Sequence, residues 1–235
     1  MMDLPVMEDP VPESNTVTRM LAEQGDVEAQ FETGCQYESW LNPDYIQAEE
    51  WYLKAAKQGQ LAAQCALGRL YEEGLGRPVD LKKASEWYHK AAEAGYSPAQ
   101  TILGGWYQDG VRDVLEEDKS KSLEWYLKAA EGGNPLAQRK VGDFYGNRWG
   151  RVPEDTRRAF EWYMKAALQG NSSAQLLVAE MYHTGYEKVP RDYQRAKEWY
   201  LKAAKSGQRD AYDCLDLLEK QIFQQHSPGQ QQHEL

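Results

Sequence analysis

Cysteine is scarce in this sequence. The 235 residues contain three, Cys35, Cys65 and Cys214, at no regular spacing, so no disulfide framework is expected and no Cys-x-x-Cys or Cys/His pair offers a zinc site. Cys65 and Cys214 fall on helical faces and read as small buried hydrophobes. Long apolar runs are missing too. No stretch reaches the roughly eighteen residues that span a bilayer, and the opening "MMDLPVMEDPVPES" has neither the basic n-region nor the apolar h-region of an export signal. The expected compartment is therefore the cytoplasm, without membrane insertion. Basic charge is outweighed, 27 Lys and Arg standing against 37 Asp and Glu for a net charge of -10. The signs are interspersed, which argues against nucleic acid or anionic membrane as partners, since both need clustered cations. Catalytic signatures are absent as well: there is no Ser-x-x-Lys, Gly-x-Ser-x-Gly, His-Glu-x-x-His or glycine-rich phosphate loop, and the four histidines are scattered. The chain is expected to be no enzyme and to carry no cofactor.

What is abundant is one hexapeptide. "WYLKAA" stands at 51–56, 125–130 and 199–204, with "WYHKAA" at 87–92 and "WYMKAA" at 162–167. The tryptophans Trp51, Trp87, Trp125, Trp162 and Trp199 are 36, 38, 37 and 37 residues apart, a period that indicates a helical array. Seven residues before each stands an Asp (Asp44, Asp80, Asp118, Asp155, Asp192), placed to cap a helix and to face the positive end of its dipole. A Glu precedes each Trp and a Lys follows three residues later, giving a favourable i,i+4 pair such as Glu86 with Lys90. A small residue three before Trp and the Ala-Ala pair allow close helix approach, and a Gly (Gly59, Gly95, Gly133, Gly170, Gly207) ends the helix in a left-handed turn.

The second half of the unit opens with "AQ" at Ala29, Ala63, Ala99, Ala137 and Ala174. Five residues on is a small residue (Gly34, Gly68, Gly104, Gly142, Ala179) and eight on a Tyr. A mid-helix Gly costs about 1 kcal/mol in propensity, so a close crossing must be its reason. Ser97-Pro98 and Asn134-Pro135 read as N-cap and N1 pairs. The unit is a helical hairpin, repeated five times.

The string "AQCALGRLYEEGLGRPVDLKKASEWYHKAAEAG", residues 63–95, resembles a Sel1-like repeat, a relative of the tetratricopeptide repeat, and the likeness extends over about 17–222. It implies an all-α fold: a right-handed α/α superhelix, or solenoid, of about five hairpins whose first helices line a concave groove, and a family role in assembling other proteins. Half-repeats cap both ends. "VTRMLAEQG" at 17–25 matches the end of a second helix with Val17 for Trp, and the helix from Ala211 has Asp216 and Glu219 where a next repeat would pack. The expected domains are a disordered segment 1–14, one solenoid domain 15–224 and a disordered polar tail 225–235.

Function is then sought where copies differ. By the tetratricopeptide register, positions two, six and nine after the "AQ" alanine face the groove. They include Phe31 and Arg139 at two, Arg69, Asp143 and Glu180 at six, and Glu72, Gln108 and His183 at nine. This mixture suits an extended peptide. Position seven (Leu70, Trp106, Phe144, Met181) reads as core. The loop 146–155 offers a second surface, with Arg148, Trp149 and Arg151, residue types enriched at binding hot spots. The reading is a protein-protein interaction module, a scaffold or adaptor, monomeric, holding a partner protein or peptide. The alternative is an immunity protein or chaperone for a secreted bacterial effector, favoured by a basic partner. A third is a hydrolase akin to cysteine-rich Sel1-like proteins, whose cysteine pair per repeat this chain lacks.

Overall fold

The computed structural model describes residues 13–39, 43–146, 155–186 and 188–226, which form twelve helices and, among the described residues, no strand. They are α1 (Glu13–Glu23), α2 (Val27–Ser39), α3 (Tyr45–Lys57), α4 (Leu61–Glu73), α5 (Leu81–Glu93) and α6 (Ser97–Asp109), then α7 (Lys119–Glu131), α8 (Pro135–Tyr145), α9 (Thr156–Leu168), α10 (Ser172–Thr184), α11 (Tyr193–Lys205) and α12 (Asp210–His226). The chain divides between Glu117 and Asp118 into two compact units, α1 to α6 and α7 to α12. The division falls in the lengthened loop 109–121, where Val111 and Leu115 form an isolated antiparallel bridge.

Local chemistry accounts for the helix boundaries. The five aspartates are N-caps, each accepting at 3.0 Å from the backbone N–H three residues on, those of Gln47, Lys83, Lys121, Arg158 and Arg195. At the other end Gly59, Gly95, Gly133, Gly170 and Gly207 have φ between 88° and 93°. The following N–H returns to the carbonyl five residues back, as from Gln60 to Ala55 and Tyr96 to Ala91, the Schellman closure that a left-handed residue permits. Asn134 caps α8 as expected, but α6 begins at Ser97 with Tyr96 as its N-cap and no side-chain capping bond. The glutamine of "AQ" closes the preceding turn. Buried Gln30, Gln64, Gln100, Gln138 and Gln175 each donate to the carbonyl eight residues back, at 3.0–3.2 Å, and so satisfy acceptors that the ended helix leaves open.

The hexapeptide lysines do not form the expected i,i+4 ion pairs within 4.0 Å among the described residues. They lie instead over the tryptophan three residues earlier, Lys54 3.5 Å from the ring centroid of Trp51, and Lys128, Lys165 and Lys202 at 4.1, 3.7 and 3.9 Å from theirs. An indole face holds an ammonium better than an exposed carboxylate whose attraction water screens. Trp51 and Trp199 are buried, whereas Trp87, Trp125 and Trp162 are half-buried.

The tyrosine beside each tryptophan explains the helical glycines. The Tyr52, Tyr88 and Tyr163 rings lie so close on Gly34, Gly68 and Gly142 that a Cβ there would stand 2.5 Å from a ring carbon. These rings are at most 4% exposed, and around them collect Ala48, Ala55 and Leu67 in the first unit, or Ala159, Ala166 and Val178 in the second. Position seven is core as expected, with Leu70, Trp106, Phe144 and Met181 all buried. On α1 Val17, Met20 and Leu21 are exposed; on α12 Asp216 and Glu219 face solvent as expected of a terminal helix, together with exposed Tyr212, Leu217 and Phe223. Helix α12 runs two residues past the expected boundary at 224, and α1 starts two before 15. The remainder of the expected disordered ends, 1–12 and 227–235, lies outside the described residues.

Candidate partner-binding surface

The hydroxyls of the buried tyrosines decide the role of several expected groove residues. Tyr52 donates to Cys35 Sγ at 3.4 Å, Tyr88 to Glu72 Oε2 at 2.6 Å and Tyr163 to Asp143 Oδ1 at 2.9 Å, while the Tyr200 hydroxyl meets His183 Nδ1 at 3.1 Å. A buried phenol needs a partner, and these four copies each supply a different one from position six or nine. Variation there is thus partly a change of internal acceptor. Asp143 is 3% and Gln108 4% exposed. Both correct the expectation that these positions face the groove. For Asp143 the reason is that an acceptor must sit behind the ring to reach its hydroxyl.

The two arginines are also engaged locally, contrary to the expectation that they are free to meet a partner. Arg69 pairs with Glu38 and, at 3.7 Å, with Glu73 on its own helix. Arg139 donates to Asp143 Oδ2 at 2.7 Å, one turn along α8. His183 is bound on its other nitrogen by Gln221 Oε1 at 2.8 Å, and Glu180 is half-buried on α10. Arg148, Trp149 and Arg151 lie outside the described residues. No sequence pattern singles out buried Glu49, which accepts from Tyr71 Oη at 2.5 Å and from Arg77 Nε. That network pins the 74–80 loop to α3, and burial with Glu49 as neighbour pushes the Tyr71 phenol up to about 12.

Three expected residues do come together. Phe31, Arg69 and Glu72 line one pocket of the first unit between α2, α4 and α6, with Cys65, Tyr96 and Ile102. Phe31 is held against Tyr52 with ring centroids 5.6 Å apart. Glu72 is half-buried and also accepts from Trp106 Nε1 at 3.2 Å, and Trp106 stands edge-on to Tyr88. Burial, and after it the hydrogen bond to Glu72, raises the Tyr88 phenol well above its ordinary value, so it stays a donor. Burial likewise pushes the Cys65 thiol up to about 11, leaving it a wall of the pocket rather than a nucleophile. Tyr96 and Ile102 are not among the residues expected from the repeat register: Ile102 is one position away from it, and Tyr96 precedes its helix. One signal for Tyr96 was legible. The other first helices begin on Asp26, Gln60, Asn134 and Asn171, each accepting from an N–H three residues on, and Tyr96 alone cannot. Among the described residues no group of three or more His, Cys, Asp or Glu is arranged to hold a metal ion.

Tandem helical hairpins with fixed caps and a variable face define an α-hairpin repeat protein. The Sel1 repeat model matches residues 27–60, 61–96, 97–134, 135–171 and 172–208, and the chain belongs to the Sel1 repeat family. It is similar to a Sel1 repeat protein from Oxalobacter formigenes, with 34% identity and a TM-score of 0.82 over 88% of this chain and 60% of that one. It also resembles a protective antigen present in uropathogenic Escherichia coli strains, with 32% identity and a TM-score of 0.76 over 89% of this chain and 45% of the other. The chain therefore spans less than two thirds of either relative. An immunity protein from Pseudomonas aeruginosa shares the fold at 19% identity and a TM-score of 0.58, over 88% of this chain and 78% of that one. No curated protein matches. No helix among the described residues is long and apolar enough to cross a membrane.

Proposed function

We propose that this chain is a non-enzymatic interaction module, a scaffold or adaptor, that holds a partner protein or peptide in the α2, α4 and α6 pocket of its first unit. Tyr96 carries the reading. A side-chain cap is worth about 1 kcal/mol to a helix, and α6 forgoes it for an aromatic ring at the rim of the pocket. A residue that departs from the local rule its equivalents keep is a candidate functional position. The rest of the repeat skeleton is occupied internally: its aspartates cap, its glycines and tyrosines pack, and its glutamines close turns. Phe31, Cys65, Tyr96 and Ile102 are not repeated from copy to copy, and aromatic anchors in a partly apolar pocket suit a partner's side chain.

The test is a selection of random displayed peptides on the whole immobilised chain, followed by affinity measurement against Tyr96→Asn. The variant restores the cap, so it should melt higher than the parent while losing about tenfold or more in affinity for the selected peptides. Selected peptides that bind Tyr96→Asn as tightly as the parent, or no enrichment at all, would refute this surface.

A further inference from the structure

We infer that the α2, α4 and α6 pocket takes a lysine or arginine side chain of its partner; the inference rests on the proposed interaction role. The pocket sets unbalanced negative charge against apolar walls. Glu72 uses both carboxylate oxygens on neutral donors, the Tyr88 hydroxyl and the Trp106 indole, and has no cation within 4.0 Å among the described residues. Both donors are neutral, so they bring no positive charge to the carboxylate. The nearby Arg69 does not serve Glu72, because its guanidinium is shared between Glu38 and Glu73. One cation thus stands among three carboxylates, and Glu38 keeps a buried Oε1 without a hydrogen-bond partner.

The walls select among cations. Phe31, Cys65 and Ile102 present apolar surface beside Glu72, which suits the methylene stem of a long basic side chain while its head reaches the carboxylate. Tyr96 supplies an aromatic face at the rim, where a guanidinium or ammonium gains cation–π attraction. An acidic side chain would meet Glu72 and Glu73 in the same space, where Arg69 is already paired with Glu38 and Glu73, and a neutral amide would leave the charge of Glu72 unanswered.

The sequence favours a direct test, because its only isoleucines are Ile46, Ile102 and Ile222, and of these Ile102 alone lines the pocket. The whole chain, carrying 13C-methyl isoleucine, is titrated with acetyl-Ala-Arg-Ala-amide, its Lys counterpart, and the Gln and Glu versions. The two basic peptides should move the Ile102 methyl signal saturably while Ile46 and Ile222 stay still, and the Gln and Glu peptides should not. Glu72→Gln should weaken the basic peptides about tenfold. Ala62→Lys, which places an ammonium at the pocket wall without touching the Tyr88 and Trp106 bonds, should do the same. Circular dichroism confirms that each variant is folded. Equal shifts by the Gln or Glu peptide, or unchanged affinity in both variants, overturn the inference. Displayed peptides without Lys or Arg that still depend on Tyr96 would overturn it while leaving the interaction role in place; selected peptides indifferent to Tyr96 would refute that role instead.

Discussion

Replacing Gly68 by alanine should destabilise the first unit, although alanine is the better helix former. In an unconstrained helix interior the change is worth about 1 kcal/mol of stability. Here the new Cβ would lie 2.5, 2.6 and 2.9 Å from three ring carbons of Tyr88, so ordinary contact requires a displacement approaching about 1 Å. The ring has little room to move. It is 1% exposed, its hydroxyl is fixed on Glu72 at 2.6 Å, and its edge-to-face contact with Trp106 has centroids 5.3 Å apart. Overpacking a filled core costs about 1–3 kcal/mol, and subtracting the propensity gain leaves a net loss of about 1 kcal/mol, or roughly 2–4 °C in melting temperature. Amide hydrogen exchange on α4 and α5 localises the effect to this unit, and urea titration followed by circular dichroism sets its size. The fifth copy supplies the control. Ala179 already carries the Cβ and is fully buried, so Ala179→Gly should also destabilise, by about 1 kcal/mol or more, through helix propensity and the lost burial of its methyl. A Gly68→Ala chain more stable than the parent would refute the ring-on-glycine account of these positions.

Single interactions set three further outcomes. Gln30 and Gln138 have their Oε1 atoms met by Gln58 and Gln169 at 2.9 and 2.8 Å, whereas buried Gln64 Oε1 has no partner and Ala94 stands at the equivalent place. Ala94→Gln should therefore add about 0.5–1.5 kcal/mol by urea denaturation, and an unchanged midpoint would contradict it. The Asp80 carboxyl is held below its ordinary value of 3.8, first by the backbone N–H of Lys83. Its contribution is therefore complete above that value and is lost as pH falls through the lower folded-state pKa; Asp80→Ala should flatten the acid limb of the stability profile and leave its shape above about pH 5 unchanged, as thermal melts from about pH 2 to 7 would show. The three cysteines are free, and burial raises the Cys65 thiol to about 11. Reductant should leave the melting temperature unchanged, and iodoacetamide at about pH 8 should alkylate Cys65 more slowly than free cysteine, as mass spectrometry of the intact chain would register.

The hairpins were legible in the sequence because their determinants are local. An Asp that caps three residues on, a Gly that turns the chain, and a Gln that reaches eight residues back all act within one turn or loop, so they recur at fixed spacing wherever the hairpin recurs. The small residues at Gly34, Gly68 and Gly142 pointed correctly to a close crossing, but the tyrosine rings that cross there stand 18 to 21 residues away. What meets each hydroxyl at the far edge of the ring depends on helix rotation. Cys35, Glu72, Asp143 and His183 therefore do one job from two different positions, and no register separates such residues from ones that face a partner. The pocket lies further still from the reach of spacing. Phe31, Glu72, Tyr96 and Ile102 sit on or at the start of three helices from successive hairpins, and only packing sets those helices side by side. It also leaves Glu72 without a cation while giving Arg69 two carboxylates, a balance of charge fixed by distances that the order of residues along the chain does not contain.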